Sequence, residues 1–127
     1  MAQYEICIVS AGDRAVAKKI TEALVSEQLA ACVSAIEGMK SMFRWKGKME
    51  EADEILLLIK TRASLREEVM QCIKNNHNYE VPEILFIPIE GSREYLDWIG
   101  ANTRFSMADA GKKEGGACIE EGEKTKD

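Results

Sequence analysis

Histidine is almost missing from these 127 residues: His77 stands alone. One imidazole per chain excludes any metal centre that needs two histidines from the same chain. Long apolar runs are missing too. The longest, Leu29 to Val33 and Ile55 to Ile59, fall far short of the ~20 residues that a membrane-spanning helix needs. The first residues, Met1 to Glu5, carry neither the basic segment nor the apolar stretch of a secretory signal, so a cytoplasmic protein is expected. The four cysteines (Cys7, Cys32, Cys72 and Cys118) include no Cys-x-x-Cys pair and match neither a zinc finger nor a disulfide framework. Basic residues are outnumbered 17 to 22, a net charge of −5. Nucleic acid is therefore disfavoured as the main partner, because backbone phosphates select basic faces. No Gly-x-Ser-x-Gly, phosphate loop, dinucleotide fingerprint or His-Glu-x-x-His occurs, and no spacing assembles Ser, His and Asp. A protein that is not an enzyme is expected.

What is present suits one globular domain: 46% hydrophobic and 31% charged residues. Residues 4–10 read as a short buried strand. Asp13 follows as the cap of a helix over 14–29 with Val16, Ile20, Ala23, Leu24 and Glu27 on one stripe. Ala31 to Trp45 reads as one long strand with a bulge or kink at Gly38. Lys46-Gly47 fits a tight turn, and a second long strand runs from Lys48 to Lys60. Ser64 to Glu67 reads as a capping box opening a helix with Leu65, Val69, Cys72 and Ile73 inward. Residues 83–89 form a short strand whose Pro88 belongs at a sheet edge. Ser92 caps a last helix with Tyr95, Leu96 and Ile99 inward, and 105–127 reads as a disordered polar tail. The fold class is α+β: a ferredoxin-like βαββαβ domain over 1–104 with an extra C-terminal helix.

The lengths carry a further consequence. A strand of about 15 residues spans roughly 50 Å, whereas a helix of about 16 spans roughly 24 Å. The hairpin must overhang its own core, carrying Met39, Met42, Phe43 and Trp45 with it. Such a ribbon, apolar and open-edged, invites pairing with other copies, so an obligate homo-oligomer is expected.

Five blocks recur together in order: Leu29-Ala30-Ala31-Cys32-Val33, Phe43-Arg44-Trp45-Lys46-Gly47-Lys48, Leu58-Ile59-Lys60-Thr61, His77-Asn78-Tyr79-Glu80-Val81-Pro82-Glu83-Ile84 and Tyr95-Leu96-Asp97-Trp98. From Tyr4 to Arg104 the chain resembles the CutA family of divalent-ion tolerance proteins. The resemblance implies a homotrimer built through the long hairpins, and an association with copper and other divalent metals. A similar trimeric plan is used by PII-type signalling proteins, which bind small effectors between subunits. Some bacterial members carry a cysteine and a histidine pair proposed as copper ligands. The matching positions here are Val9, Asn76 and His77, so only His77 of that set remains.

The candidate metal ligands are His77 and, from the hairpin, Glu54, for Cu(II) or another divalent ion. The competing reading of His77 is a ring at a helix C-terminus. The acidic run Glu50, Glu51, Asp53 and Glu54 attracts cations or simply solvates a strand end. Cys32, Trp45, Lys60, Tyr79, Glu80, Glu83 and Trp98 are candidates for a small-ligand pocket at a subunit interface, with interface packing as the alternative. Cys32 reads either as a buried structural thiol or as a soft-metal or redox group, and Cys118 as the thiol most open to oxidants.

Overall fold

The computed structural model describes residues 3–106. Of the expected tail over 105–127, residues 107–127, with Cys118, lie outside the described residues. The order is β1 (Tyr4–Ala11), α1 (Arg14–Ser26), β2 (Cys32–Trp45), β3 (Lys48–Arg62), a 3-10 turn (Ala63–Leu65), α2 (Arg66–Asn76), β4 (Ile84–Pro88) and α3 (Arg93–Ala101). The strands form one antiparallel sheet in the order β2-β3-β1-β4. This is the ferredoxin-like arrangement that the element order predicts. Among the described residues no helix is long and apolar enough to cross a membrane.

Strand alternation sorts the sheet into two unlike faces. The inner face carries Cys7, Val9, Leu57 and Ile59, all fully buried beneath Ile20 and Leu24 of α1 and Val69 and Ile73 of α2. Glu5 also points inward and is only 3% exposed. Arg66 donates to both of its carboxylate oxygens while the guanidinium lies 4.9 Å from the Phe86 ring centroid. A buried carboxylate held this way satisfies the rule that internal charges are paired. Beyond the end that α3 covers, the outer face is apolar and uncovered. Ile36, Leu85 and Ile87 remain about half exposed beside Ile6, Ile8, Leu56 and Leu58.

Pairing to β1 ends where Ala11 meets Ile55. Beyond that point β2 and β3 continue alone, from Met39↔Glu54 to Trp45↔Lys48. The register shifts between Ile36 and Met39, where Gly38 takes φ +84°. Lys46 and Gly47 both have positive φ, 50° and 83°, as a two-residue turn matched to strand twist requires. Met42, Phe43, Trp45 and Met49 stay exposed on this ribbon.

Local details depart from expectation. Helix α1 stops at Ser26 rather than 29. Gln28 turns left-handed (φ 57°), its N–H reaches the Val25 carbonyl, and the Leu29 N–H reaches that of Leu24. This closing loop drives Leu29 into the core and leaves Glu27 exposed. No capping box forms at Ser64. Fully buried Leu65 anchors a 3-10 turn ahead of α2, whose first-turn Glu67 and Glu68 face the positive helix end instead. On α3 only Ile99 is fully buried, while Leu96 is half-buried and Tyr95 is exposed. That helix lies over one end of the outer face, where Arg62 donates to the Gly100 carbonyl and Thr103 and faces the Phe105 ring.

Candidate functional site

The two expected metal ligands meet around one tyrosine at the base of the hairpin. Helix α2 ends at Asn76, and the extended backbone of His77 sends the chain back past the end of β1. The His77 Nδ1 accepts from the backbone N–H groups of Asn78 and Tyr79 (2.9 and 3.2 Å). With Nδ1 as acceptor, Nε2 carries the proton and donates to the Ser10 carbonyl at 2.8 Å. The Tyr79 ring lies 4.7 Å from that of His77, and its hydroxyl donates to Glu54 Oε2 at 2.7 Å. Glu54 is itself buried. Burial first, then the hydrogen bond and charge of Glu54, push the Tyr79 phenol up from 10.0 to about 12. Gly12 makes room: a Cβ there would sit 2.9 Å from the Tyr79 hydroxyl. Both ring nitrogens of His77 are thus engaged within the chain, and a cation at Nε2 would have to displace the Ser10 carbonyl. Among the described residues no three His, Cys, Asp or Glu side chains form a group able to hold a metal ion.

The expected ligand pocket is spread over the protomer. Cys32 and Lys60 are direct cross-strand partners on the outer face. The Lys60 ammonium donates to Ser34 Oγ at 2.7 Å and to Cys32 Sγ at 3.7 Å. Tyr95 and Trp98 stack on the neighbouring α3, with ring centroids 5.5 Å apart. Burial first, then electrostatic coupling to Cys32, push the Tyr95 phenol up. Trp45 lies at the far tip of β2, roughly 40 Å from Cys32 at about 3.3 Å per residue. Tyr79 belongs to the hairpin base, and Glu80 and Glu83 are exposed on the loop before β4. One protomer therefore unites Cys32, Lys60 and the α3 aromatics, but not the remaining four. A further cavity of about 590 Å³ lies beside Tyr4, Arg93 and Asp97, and none of the candidate site residues lines it.

Comparison with known proteins places this geometry. The family model described as CutA1 divalent ion tolerance protein matches residues 5–102. A divalent-cation tolerance protein CutA of Thermus thermophilus is 44% identical over 100 residues, 78% of this chain and 97% of that protein. The chloroplastic protein CutA of Arabidopsis thaliana is 41% identical, and the alignment spans 78% of this chain but 55% of the plant protein. A solved structure of the periplasmic divalent cation tolerance protein CutA of Archaeoglobus fulgidus superposes with a TM-score of 0.77 at 36% identity, covering 80% of this chain and 99% of that one.

These relatives correct the expectation of a cytoplasmic protein, since one is named chloroplastic and another periplasmic. That expectation rested on the character of the first five residues, which does not fix a compartment for this fold. The hairpin, the sheet order and the matched span agree: the chain belongs to the CutA1 divalent ion tolerance protein family.

Proposed function

We propose that this chain acts in divalent-ion tolerance as a non-catalytic homotrimer that meets its ion, copper in the first instance, at the base of the hairpin. The observation that carries this reading is the convergence of Glu54 and His77 on Tyr79. Imidazole nitrogen and carboxylate oxygen both suit Cu(II). His77 Nε2 would hold the ion in place of one neutral hydrogen bond to Ser10, a loss of about 0.5–1.5 kcal/mol, modest against a metal–imidazole bond. Two ligands do not complete a copper site, and on this reading the rest would come from a neighbouring copy.

Assembly is supported by three features of the protomer. The outer sheet face has no cover beyond the end under α3, the two-stranded ribbon exposes Met42, Phe43, Trp45 and Met49, and β2 and β4 are open edges. Each is a surface that a soluble protein covers by association. The test is a Cu(II) titration of the full-length protein against a competing chelator, alongside His77→Ala and Glu54→Gln. Saturable binding that both substitutions weaken at least tenfold is expected. Binding unchanged in both variants would remove the hairpin base from the account.

A second reading rests on the Cys32, Ser34 and Lys60 group beside Tyr95 and Trp98. A cation next to stacked rings suits a small anionic effector held between copies. Metabolites that raise the Tm of the native protein but not of Lys60→Gln would favour it.

A further inference from the structure

Cys32 and Lys60 are fixed opposite one another by the β2–β3 register, on the end of the outer face away from the ribbon. The ammonium donates to the thiol sulfur at 3.7 Å, and both side chains are part-buried. Among the described cysteines this is the one whose sulfur accepts from a lysine. Cys7 is sealed in the core, and the Cys72 sulfur accepts from Asn76. Reactive cysteines sit in partly exposed sites beside Lys or Arg. Here the cation is an oxidisable primary amine, held by backbone pairing rather than by a flexible loop.

We propose that Cys32 and Lys60 form a reversible covalent bridge through one oxygen atom, Sγ–O–Nζ, when the protein meets dioxygen. One oxygen of the dioxygen molecule enters the bridge and the other leaves as water. The O–O bond breaks, as do the S–H bond and one N–H bond of the neutral amine. The S–O and O–N bonds form, and the two released hydrogens are carried off in the water. Sulfur and nitrogen together give up the four electrons that dioxygen takes. Lys60 binds as an ammonium, so its extra proton passes to solvent before the reaction.

The bridge staples β2 to β3 at the open end of the hairpin, opposite the Lys46-Gly47 turn, and removes the positive charge that now holds Ser34. It makes the Cys32–Lys60 patch responsive to oxidant, and it depends on contacts within one protomer rather than on the copper reading above.

The test is peptide mapping of the full-length protein after incubation in air-saturated buffer, with and without subsequent thiol reductant. Trypsin cannot cut after a bridged Lys60, so peptide 20–40 should appear joined to peptide 49–62. The joined mass should exceed the sum of the two free peptides by about 14 Da, one oxygen gained and two hydrogens lost. Reductant should release both peptides. Lys60→Arg keeps the charge but lacks the amine, and Cys32→Ser lacks the sulfur. Either should abolish the joined species, so a folding failure of one variant leaves the other. Absence of the joined peptide in the native protein would overturn the proposal, as would only about 16 or 32 Da added to the Cys32 peptide. Persistence of the joined species in Lys60→Arg would overturn it as well.

Discussion

Tyr79 is held by its hydroxyl and by the gap above Gly12, so its loss is felt at Glu54. Tyr79→Phe leaves a buried carboxylate oxygen without its donor and is expected to lower unfolding free energy by about 1–3 kcal/mol, measured by urea denaturation. Gly12→Ala displaces the same hydroxyl, so the two substitutions together should cost less than their sum. Cys7 answers to pH. Burial, then the negative charge of Glu5, push its thiol up from 9.0 to about 12. The folded state therefore keeps a proton that the unfolded state releases. This contribution is complete below about pH 9 and disappears as pH rises towards about 12, with Tyr79 acting in the same direction above 10. Cys7→Val retains the packing without the titration, and its stability should fall less steeply between pH 9 and 12 than that of the native chain.

The hairpin is the element most legible in the sequence. Gly38 marked the bulge, and Lys46-Gly47 marked the turn, because positive φ leaves a compositional trace. The left-handed Lys46 (φ 50°) is the one residue there with a better alternative. Lys46→Asn should stabilise the protein by about 0.5–1 kcal/mol, read as a higher urea midpoint at unchanged m-value. Other signals misled for physical reasons. Ser64 and Glu67 have capping-box spacing, but buried Leu65 dictates where α2 begins. The apolar rhythm of Tyr95, Leu96 and Ile99 suggested a helix face turned inward, yet α3 covers only one end of the sheet. At the site, the sequence marked His77, Glu54 and Tyr79 but not their contacts. His77 lies 67 positions from Ser10, and such a long-range bond has no local signature. Likewise Glu5 and Arg66 are 61 positions apart, and their pairing has no local signature.

At the scale of the molecule, one sheet face is fully packed and the other, beyond the end under α3, is apolar and open. The ribbon extends beyond β1 with its aromatics in solvent. On the proposed assembly, a chain built this way gains its remaining burial from other copies, with the hairpin base where copies meet. Native mass spectrometry of the full-length protein with substoichiometric and then excess Cu(II) tests this most directly, because it counts chains and ions in one spectrum. Leu85→Asp, which places a charge on the open face at 54% exposed Leu85, serves as the comparison. The account predicts a trimer that takes up copper in steps to one ion per hairpin base, and a Leu85→Asp chain that is smaller and binds little. A native monomer, or copper uptake equal in trimer and dissociated chains, would contradict it.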